Sequence, residues 1–464
     1  MAGSFQWLTF LAARQQLAAR LADPNTIFWT DAELKFYICQ ALRIFNSLTW
    51  TWRTQFAYSD PVNIWNSLGS LAGSPRLRTL TDSYCYSEME YTLLEPSTAG
   101  VWTGTSQFNI SDLSSALQSA RDEMIQVSNC NQSLLTGIPL TPNTTVTSLA
   151  DTIIDVERVR YMPVQDPYGG YGMGGYGQGP YGGGFIPGVT GFTLYRDDTV
   201  AQEFYESPLY QQSPGVPQTF SLSSEPPLSW VVDIPPAIPG TYEAVVLQSG
   251  TAFNPPTATL LGIPDDFAWV LECGALAELL GRDSEATDRE RAAYCAKRYQ
   301  DGLQLLLKTP WIQLGKVNGV AVSIDSIVDM DRYSAEWDSN PTGFGPVIVS
   351  GGIDFIGAPV GTGVGVTVLA NAPVPVLDND FIQCSRSNWD TVLDLAQARA
   401  SFKMGGAEFK AALELETGAI KACAAENTRL RSLGAFSDVL DQRGSAQERG
   451  QNRYNGAGAK AAKG

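Results

Sequence analysis

The sequence pattern that follows Thr30 predicts an amphipathic helix, whose apolar face must pack against other parts of the protein. Thr30 and Glu33 form a capping box, in which the hydroxyl accepts one free backbone N–H and the carboxylate accepts another. Apolar side chains then recur at the 3.6-residue spacing of a helix, at Leu34, Ile38, Ala41, Leu42 and Phe45. The helix is expected to run to about Leu48 and to bury this face against other helices.

Five further stretches have helical periodicity and are scattered along the chain. They are residues 4–22, opened by Ser4 and carrying Leu8, Leu11 and Ala12 on one stripe; 109–130; 264–281, opened by Pro264; 283–309, opened by Asp283 or Ser284; and 388–433, broken near Gly405 and Gly406. In the third stretch, Asp265 and Asp266 suit the positive end of the helix dipole and are poor candidates for an acid/base pair.

Two regions between these helices have the alternation and the Pro/Gly turns of strands. The clearest strands are 153–161, 192–195, 219–222, 229–234 and 242–247 in the first region, and 320–324, 347–349 and 364–369 in the second. A length of 464 residues also exceeds what one hydrophobic core usually serves, so more than one module is expected.

These patterns predict an α+β fold, a helical bundle built from sequence-separated helices with β-rich insertions. The predicted parts are 1–150, the first part of the bundle with an irregular connection over 53–108; 151–262, a β-rich insertion with a Gly/Tyr-rich loop at 168–188; 263–309, a helical hairpin that completes the bundle; 310–387, a second β-rich region; 388–435, the C-terminal helices; and 436–464, a flexible basic tail.

The chain contains no histidine, and this narrows the possible chemistry. Neither a Ser-His-Asp triad nor a Cys-His pair can be built, and the commonest ligand for transition metals is missing. We therefore expect no catalytic residues, no metal and no cofactor. The enzymatic alternative that stays open is a glycosidase that uses two carboxylates drawn from Asp325, Asp329, Asp331 and Glu336. The same acidic segment does not have the spacing of a calcium loop, and a solvated loop is favoured.

The seven cysteines are odd in number and never form a C-x-x-C pair, so a disulfide or zinc framework is not expected. They are interpreted as buried structural thiols of a protein made in a reducing compartment. No signal peptide is evident. The uncharged stretch 355–377 contains too many glycines and prolines for a membrane helix.

Two segments are candidates for contacts with partner proteins. Residues 168–188 are too rich in glycine for a regular element, and the bare G-x-G-x-x-G within them lacks the strand and the helix of a nucleotide site. The other segment is the basic tail, residues 436–464. The chain as a whole has a net charge of −17, and this charge opposes binding to nucleic acid. The candidate contact residues are Tyr168, Tyr171, Tyr176, Tyr181, Arg443, Arg449 and Arg453.

Three stretches carry a resemblance to a known family. They are Phe28 to Arg43, with Trp29-Thr30-Asp31 leading into a helix; Ile263-Pro264-Asp265-Asp266-Phe267 with the hairpin through Leu307; and Trp389 to Leu433, with Lys403-Met404-Gly405-Gly406 and Ala425-Glu426-Asn427. In order and spacing they resemble the head-to-tail adaptor, or connector, proteins of tailed bacteriophages. The resemblance covers about half of the chain, and the β-rich regions and the Gly/Tyr tract depart from it.

The resemblance implies a structural virion protein of the head-tail junction, made in the host cytoplasm. The helices would form a bundle, and copies would form a dodecameric ring between the portal protein and the tail or nozzle proteins. The genome would pass through the ring without sequence-specific binding, and neither a membrane nor a cofactor would be involved. The alternatives are a virion-associated carboxylate-based glycosidase and a carbohydrate-binding tail protein, the latter suggested by Trp311, Trp337 and the tyrosines of the glycine tract.

Overall fold

The chain has a mixed α+β architecture. The computed structural model describes residues 5–58, 69–70, 78–93, 97–98, 101–102, 108–139, 144–164, 192–198, 214–223, 228–253, 258–282, 288–309, 311–326, 329–330, 347–351, 355–357 and 364–432. Its helices are α1 (Phe10–Arg20), α2 (Asp31–Thr49), α3 (Asp82–Leu93), α4 (Ile110–Ser128), α5 (Ala268–Gly281), α6 (Arg289–Lys308), α7 (Arg386–Phe402) and α8 (Gly406–Ser432).

The strands fall between the helices in sequence. They are β1 (Arg53–Tyr58), β2 (Gly69–Ser70), β3 (Ser97–Thr98), β4 (Val101–Trp102), β5 (Gln132–Pro139), β6 (Val146–Ser148), β7 (Ile153–Pro163), β8 (Phe192–Arg196), β9 (Thr219–Ser223), β10 (Ser229–Val232), β11 (Gly240–Gln248), β12 (Ile312–Val317), β13 (Val320–Val322), β14 (Ile324–Ser326), β15 (Ile348–Gly351), β16 (Phe355–Gly357) and β17 (Val364–Leu369).

The local signals of α2 and of the C-terminal helices predicted their structure correctly. The capping box of Thr30 and Glu33 is present, and α2 ends at Trp50 in a left-handed conformation with φ 55°. The break between α7 and α8 lies at Gly405 and Gly406, which both have positive φ angles that favour glycine. The predicted stripe of α7 is buried, at Trp389, Leu393, Ala396 and Ala400.

The predicted start of α1 at Ser4 is wrong. The helix begins at Phe10, and the side chain of Thr9 accepts the N–H of Ala12 as its N-cap. Residues 5–8 are not helical, because backbone bonds tie this segment to the distant segment 378–382. The buried stripe is consequently Phe10, Ala13 and Leu17, whereas Leu11 is exposed.

Two further boundaries also differ from the prediction. The N-cap of α6 is Asp288, which accepts the N–H of Arg291 at 3.0 Å, and not Asp283 or Ser284, which lie outside the described residues. The connection over 53–108, predicted to be irregular, contains α3 and β1. Strand β1 pairs with β17, and a partner some 300 residues away leaves no local signal.

The first β-rich region begins earlier than predicted. Strands β5 and β6 lie before residue 151, yet they form the two edges of the seven-stranded sheet β5-β11-β7-β8-β9-β10-β6. Only residues 140–145 connect these edge strands, and six residues span at most about 20 Å. The short connection therefore requires the sheet to curl until its two edges approach one another. Its core contains Val156, Tyr161, Phe220, Trp230 and Tyr242.

The second β-rich region contributes to two smaller sheets. One has the order β1-β17-β12-β13, and the other has the order β14-β15-β16-β2. The strand predicted at 320–324 is divided into β13 and β14. The strand predicted at 364–369 is confirmed.

The helices share one large hydrophobic core. It contains residues from Leu8 to Cys423 and draws on each of the eight described helices. Within it α2 packs against α7 and α8, α5 against α6, and α4 against α5 and α6. The curled sheet has a separate core, so the apolar side chains of the helices and those of the sheet are buried in two largely distinct clusters.

Candidate interaction surface

The structure does not place the seven residues that the sequence suggested for partner contacts. The Gly/Tyr tract and the basic tail lie outside the described residues, and so do Asp331, Glu336 and Trp337. Of the four proposed glycosidase carboxylates, Asp325 lies on β14, and Asp329 accepts a hydrogen bond from the Ser326 hydroxyl at 2.8 Å. Trp311 is half-buried and packs against Phe267 in the helical core.

A surface that the sequence analysis missed lies where residues 5–11 meet residues 376–383. Phe10 donates its N–H to the carbonyl of Asp380 at 2.8 Å, and Ile382 donates to the carbonyl of Leu8 at 2.9 Å. Thr9 and Phe381 form an antiparallel bridge between these two bonds. Because side chains alternate across extended backbone, Leu8, Phe10 and Ile382 point into the core while Phe381 points outward.

The outward side chains of this pairing are mostly apolar. We call the exposed group Phe5, Leu11, Val376, Leu377 and Phe381 the 376–381 surface. Val376 is 77% exposed and Leu377 is 66% exposed. Scattered exposed apolar residues are ordinary, but a group of them on paired backbone is a candidate contact surface.

Carboxylates fix the backbone of this surface. The Asp380 carboxylate accepts the N–H of Val376 at 2.8 Å and that of Leu377 at 2.7 Å, and these two bonds lower the pKa of Asp380. Asp378 forms ion pairs with Lys35 at 2.8 Å and Arg14 at 3.3 Å, and the bond from Lys35 lowers its pKa most. The turn is therefore held in one conformation while its apolar side chains stay outside.

The loop before α2 exposes a second apolar pair. Ile27 is 82% exposed and Phe28 is 48% exposed. Three successive backbone N–H groups, those of Ile27, Phe28 and Trp29, donate to the carboxylate of Asp23 and lower its pKa. The ammonium of Lys403 lies 4.5 Å from the centre of the Phe28 ring.

In the helical core, Asp265 and Asp266 join distant segments. Asp265 accepts the N–H groups of Thr79 at 2.7 Å and Leu80 at 2.9 Å. Asp266 accepts the amide of Asn46 at 2.6 Å and the N–H of Ala372 at 3.2 Å. Both are buried, and burial raises the pKa of Asp266 to about 7. The interpretation as a helix-dipole pair therefore missed their main role, which is to tie α2 and the segments around 79 and 372 to α5.

The thiols are free and nearly all buried, as predicted, but one has an unexpected environment. Burial raises the pKa of Cys39 to about 11 and those of Cys384 and Cys423 to about 12. A hydrogen bond from Cys295, helped by the guanidinium of Arg399, lowers the pKa of Cys273 to about 6. Cys273 is 0% exposed, so this thiol is shielded from reagents in solution.

The described residues offer little room for a substrate at the helix junction. A cavity of about 10 Å³ lies between Asn46, Asp266 and Trp311, which is enough for one water molecule. Across the described ranges, no group of three or more acidic or thiol side chains has a geometry that could hold a metal ion.

Two further searches gave negative results. Among the described helices, none combines the length and the apolar character needed to cross a membrane. Comparison of the chain with protein-family models and with curated proteins found no match.

Proposed function

We propose that the chain is a non-enzymatic subunit of a virion, a head-to-tail adaptor that forms a dodecameric ring between portal and tail. One observation supports this proposal above the others. The three stretches that resemble the adaptor family, although far apart in sequence, meet in one core. The indole N–H of Trp29 on the first stretch donates to the carbonyl of Ala400 on the third at 3.0 Å.

The contacts among the three stretches are specific as well as apolar. Lys403 forms a buried ion pair with Glu33 at 2.6 Å, which joins the third stretch to the first. Arg298 on the second stretch lies 3.3 Å from Glu416 on the third. The resemblance implies a helical bundle in which these stretches pack together. In the proposal, each copy in the ring contributes one such bundle.

The 376–381 surface is the part of the bundle that we assign to contact with a neighbouring copy. Copies with a net charge of −17 repel one another unless their contact is apolar and its charges are already neutralised. The surface largely meets this condition, because Arg14 and Lys35 of the same chain pair with Asp31 and Asp378 beside it, and two backbone N–H groups hold the Asp380 carboxylate. An apolar contact between like-charged copies is therefore possible here.

The acidic balance also suits a channel for DNA. Binding to the phosphate backbone requires lysine and arginine side chains that displace counterions. A strongly negative subunit lacks an excess of them, so the genome can pass without adhering. No catalytic residue is needed for this function.

Leu377→Asp tests the contact between copies. The side chain is exposed, so the variant is expected to fold with an unchanged melting temperature but to form the ring at least tenfold more weakly, because a charge would be buried in the contact. Analytical ultracentrifugation in the presence of the portal measures the assembly. Val320→Asp is the matched control, since Val320 is 67% exposed and lies on β13. Equal assembly of the two variants would remove the 376–381 surface from the proposal.

Deletion of residues 436–464 tests the role of the basic tail. We expect the shortened chain to keep its fold, because every helix of the described core lies before residue 436, and to dock more weakly on the portal. Circular dichroism checks the fold, and binding to immobilised portal checks the docking. Docking of the shortened chain with undiminished affinity would contradict the assignment of the tail to the portal.

A further inference from the structure

Two carboxylic acids are buried beside the same glutamine in the helical core. Glu88 on α3 is 2% exposed, and Glu272 on α5 is 0% exposed. Gln40 on α2 lies between them, and its amide donates to Glu272 Oε2 at 2.6 Å. Among the described residues, Glu88 Oε2 and Glu272 Oε1 are each buried without a hydrogen-bond donor. A buried carboxylate oxygen without a donor is costly, and protonation of one of the two acids removes part of that cost.

The charges around this pair do not balance if both acids are ionised. The titratable and charged groups that face it are Glu33, Tyr37 and Arg43 on α2, Asp82, Tyr84, Cys85 and Tyr91 on α3, Cys273 on α5 and Arg399 on α7. Arg399 is the cation that favours ionisation of both acids. Its guanidinium also lies 3.9 Å from the Cys273 sulfur.

We propose that Glu88 and Glu272 together hold one proton at neutral pH. The pair would then carry a single negative charge, which Arg399 stabilises. Two like charges this deeply buried are rarely both ionised, since each disfavours the other and burial disfavours both. The proton is taken up from solvent when α3 packs against α5. This inference concerns the helical core and does not rest on the proposed function.

The electrostatics of the site agree with this assignment. Burial raises the pKa of Glu88 to about 7. Burial and then the charge of Glu88 raise the pKa of Glu272 well above its ordinary value. The unfolded chain releases the shared proton above its ordinary glutamate pKa of about 4.5, whereas the native state keeps it. Stability from this site is therefore complete below the ordinary glutamate pKa, and it falls as pH rises until the native state also releases the shared proton.

Glu88→Gln tests the shared proton. For each additional proton that the native state holds, the unfolding equilibrium constant rises up to tenfold per pH unit. Urea unfolding measured from pH 5 to 8 should therefore depend on pH less steeply in the variant, by about one proton. The amide of the new side chain replaces the proton as donor, so the variant should fold. Asp266→Asn is the control, because it removes another carboxyl in the core whose pKa is raised to about 7. Adding Glu88→Gln to the Asp266→Asn variant should lower the pH dependence of unfolding by the same amount as it does in the unchanged chain.

A second measurement reads the proton directly. Infrared absorption by protonated carboxyl groups in the native protein at pH 7 should fall by one carboxyl in Glu88→Gln. Glu272→Gln should lose the same absorption, and it replaces the first variant if that one does not fold. An unchanged pH slope together with unchanged carboxyl absorption in the folded variant would overturn the proposal.

Discussion

The Ile38→Asp chain is expected to lose its helical core. Ile38 on α2 is 0% exposed within the core that the helices share, so the substitution places an unpaired carboxylate among apolar side chains. Such a charge costs on the order of 5 kcal/mol, which is comparable to the whole stability of many domains. Circular dichroism should show loss of helix or a melting temperature lowered by more than ten degrees.

Ile27→Asp is the matched control for this experiment. It makes the same change eleven positions earlier, at a side chain that is 82% exposed. We expect its melting temperature to stay close to that of the unchanged chain. A soluble and fully helical Ile38→Asp variant, as stable as Ile27→Asp, would show that this face of α2 is not buried and would remove the basis for a bundle.

Arg399→Met is expected to have the second largest effect. Arg399 is 5% exposed, and it lies among Glu88, Cys273 and Glu416. Methionine fills much of the volume but leaves these acidic groups without their cation, and breaking such a buried pairing costs about 3 to 5 kcal/mol. The loss should grow as pH rises, because the guanidinium now lowers the pKa of Glu88. Urea unfolding at pH 6 and pH 8 measures both effects.

Arg20→Met provides the comparison for a surface arginine. Arg20 pairs with Asp390 at 3.1 Å and with Asp394, but Asp390 is largely exposed to water. Pairs of this kind contribute at most about 1 kcal/mol. If the two methionine variants lost equal stability at pH 8, the buried charges around Arg399 would not be the reason for its effect.

The sequence predicted the helices whose signals are local. The capping box before α2, the paired glycines before α8 and the periodic apolar face of α7 each depend on residues within a few turns. The predicted start of α1 is wrong because its true start depends on residues that are distant in sequence. Its first residues pair with residues some 370 positions away, and this pairing overrides the local preference of Ser4.

The candidate sites were harder to predict. Hydropathy treats Glu88, Glu272 and Arg399 as surface residues, and nothing nearby in sequence indicates that they neutralise one another in the core. The same holds for Asp265 and Asp266, whose partners come from three separate segments. From sequence alone, residues 376–381 have the composition of an ordinary turn. Their exposed apolar side chains form a surface only because this segment pairs with residues 8–11.

Cryo-electron microscopy of the purified chain, mixed with a tailed-phage portal protein, tests the central proposal most directly. The account predicts a closed ring of about a dozen copies seated on the portal, with an open channel on its axis and the 376–381 surfaces buried between neighbours. A chain that stays monomeric beside an intact portal, and that cleaves a glycan with an acidic pair in an open cleft, would contradict it.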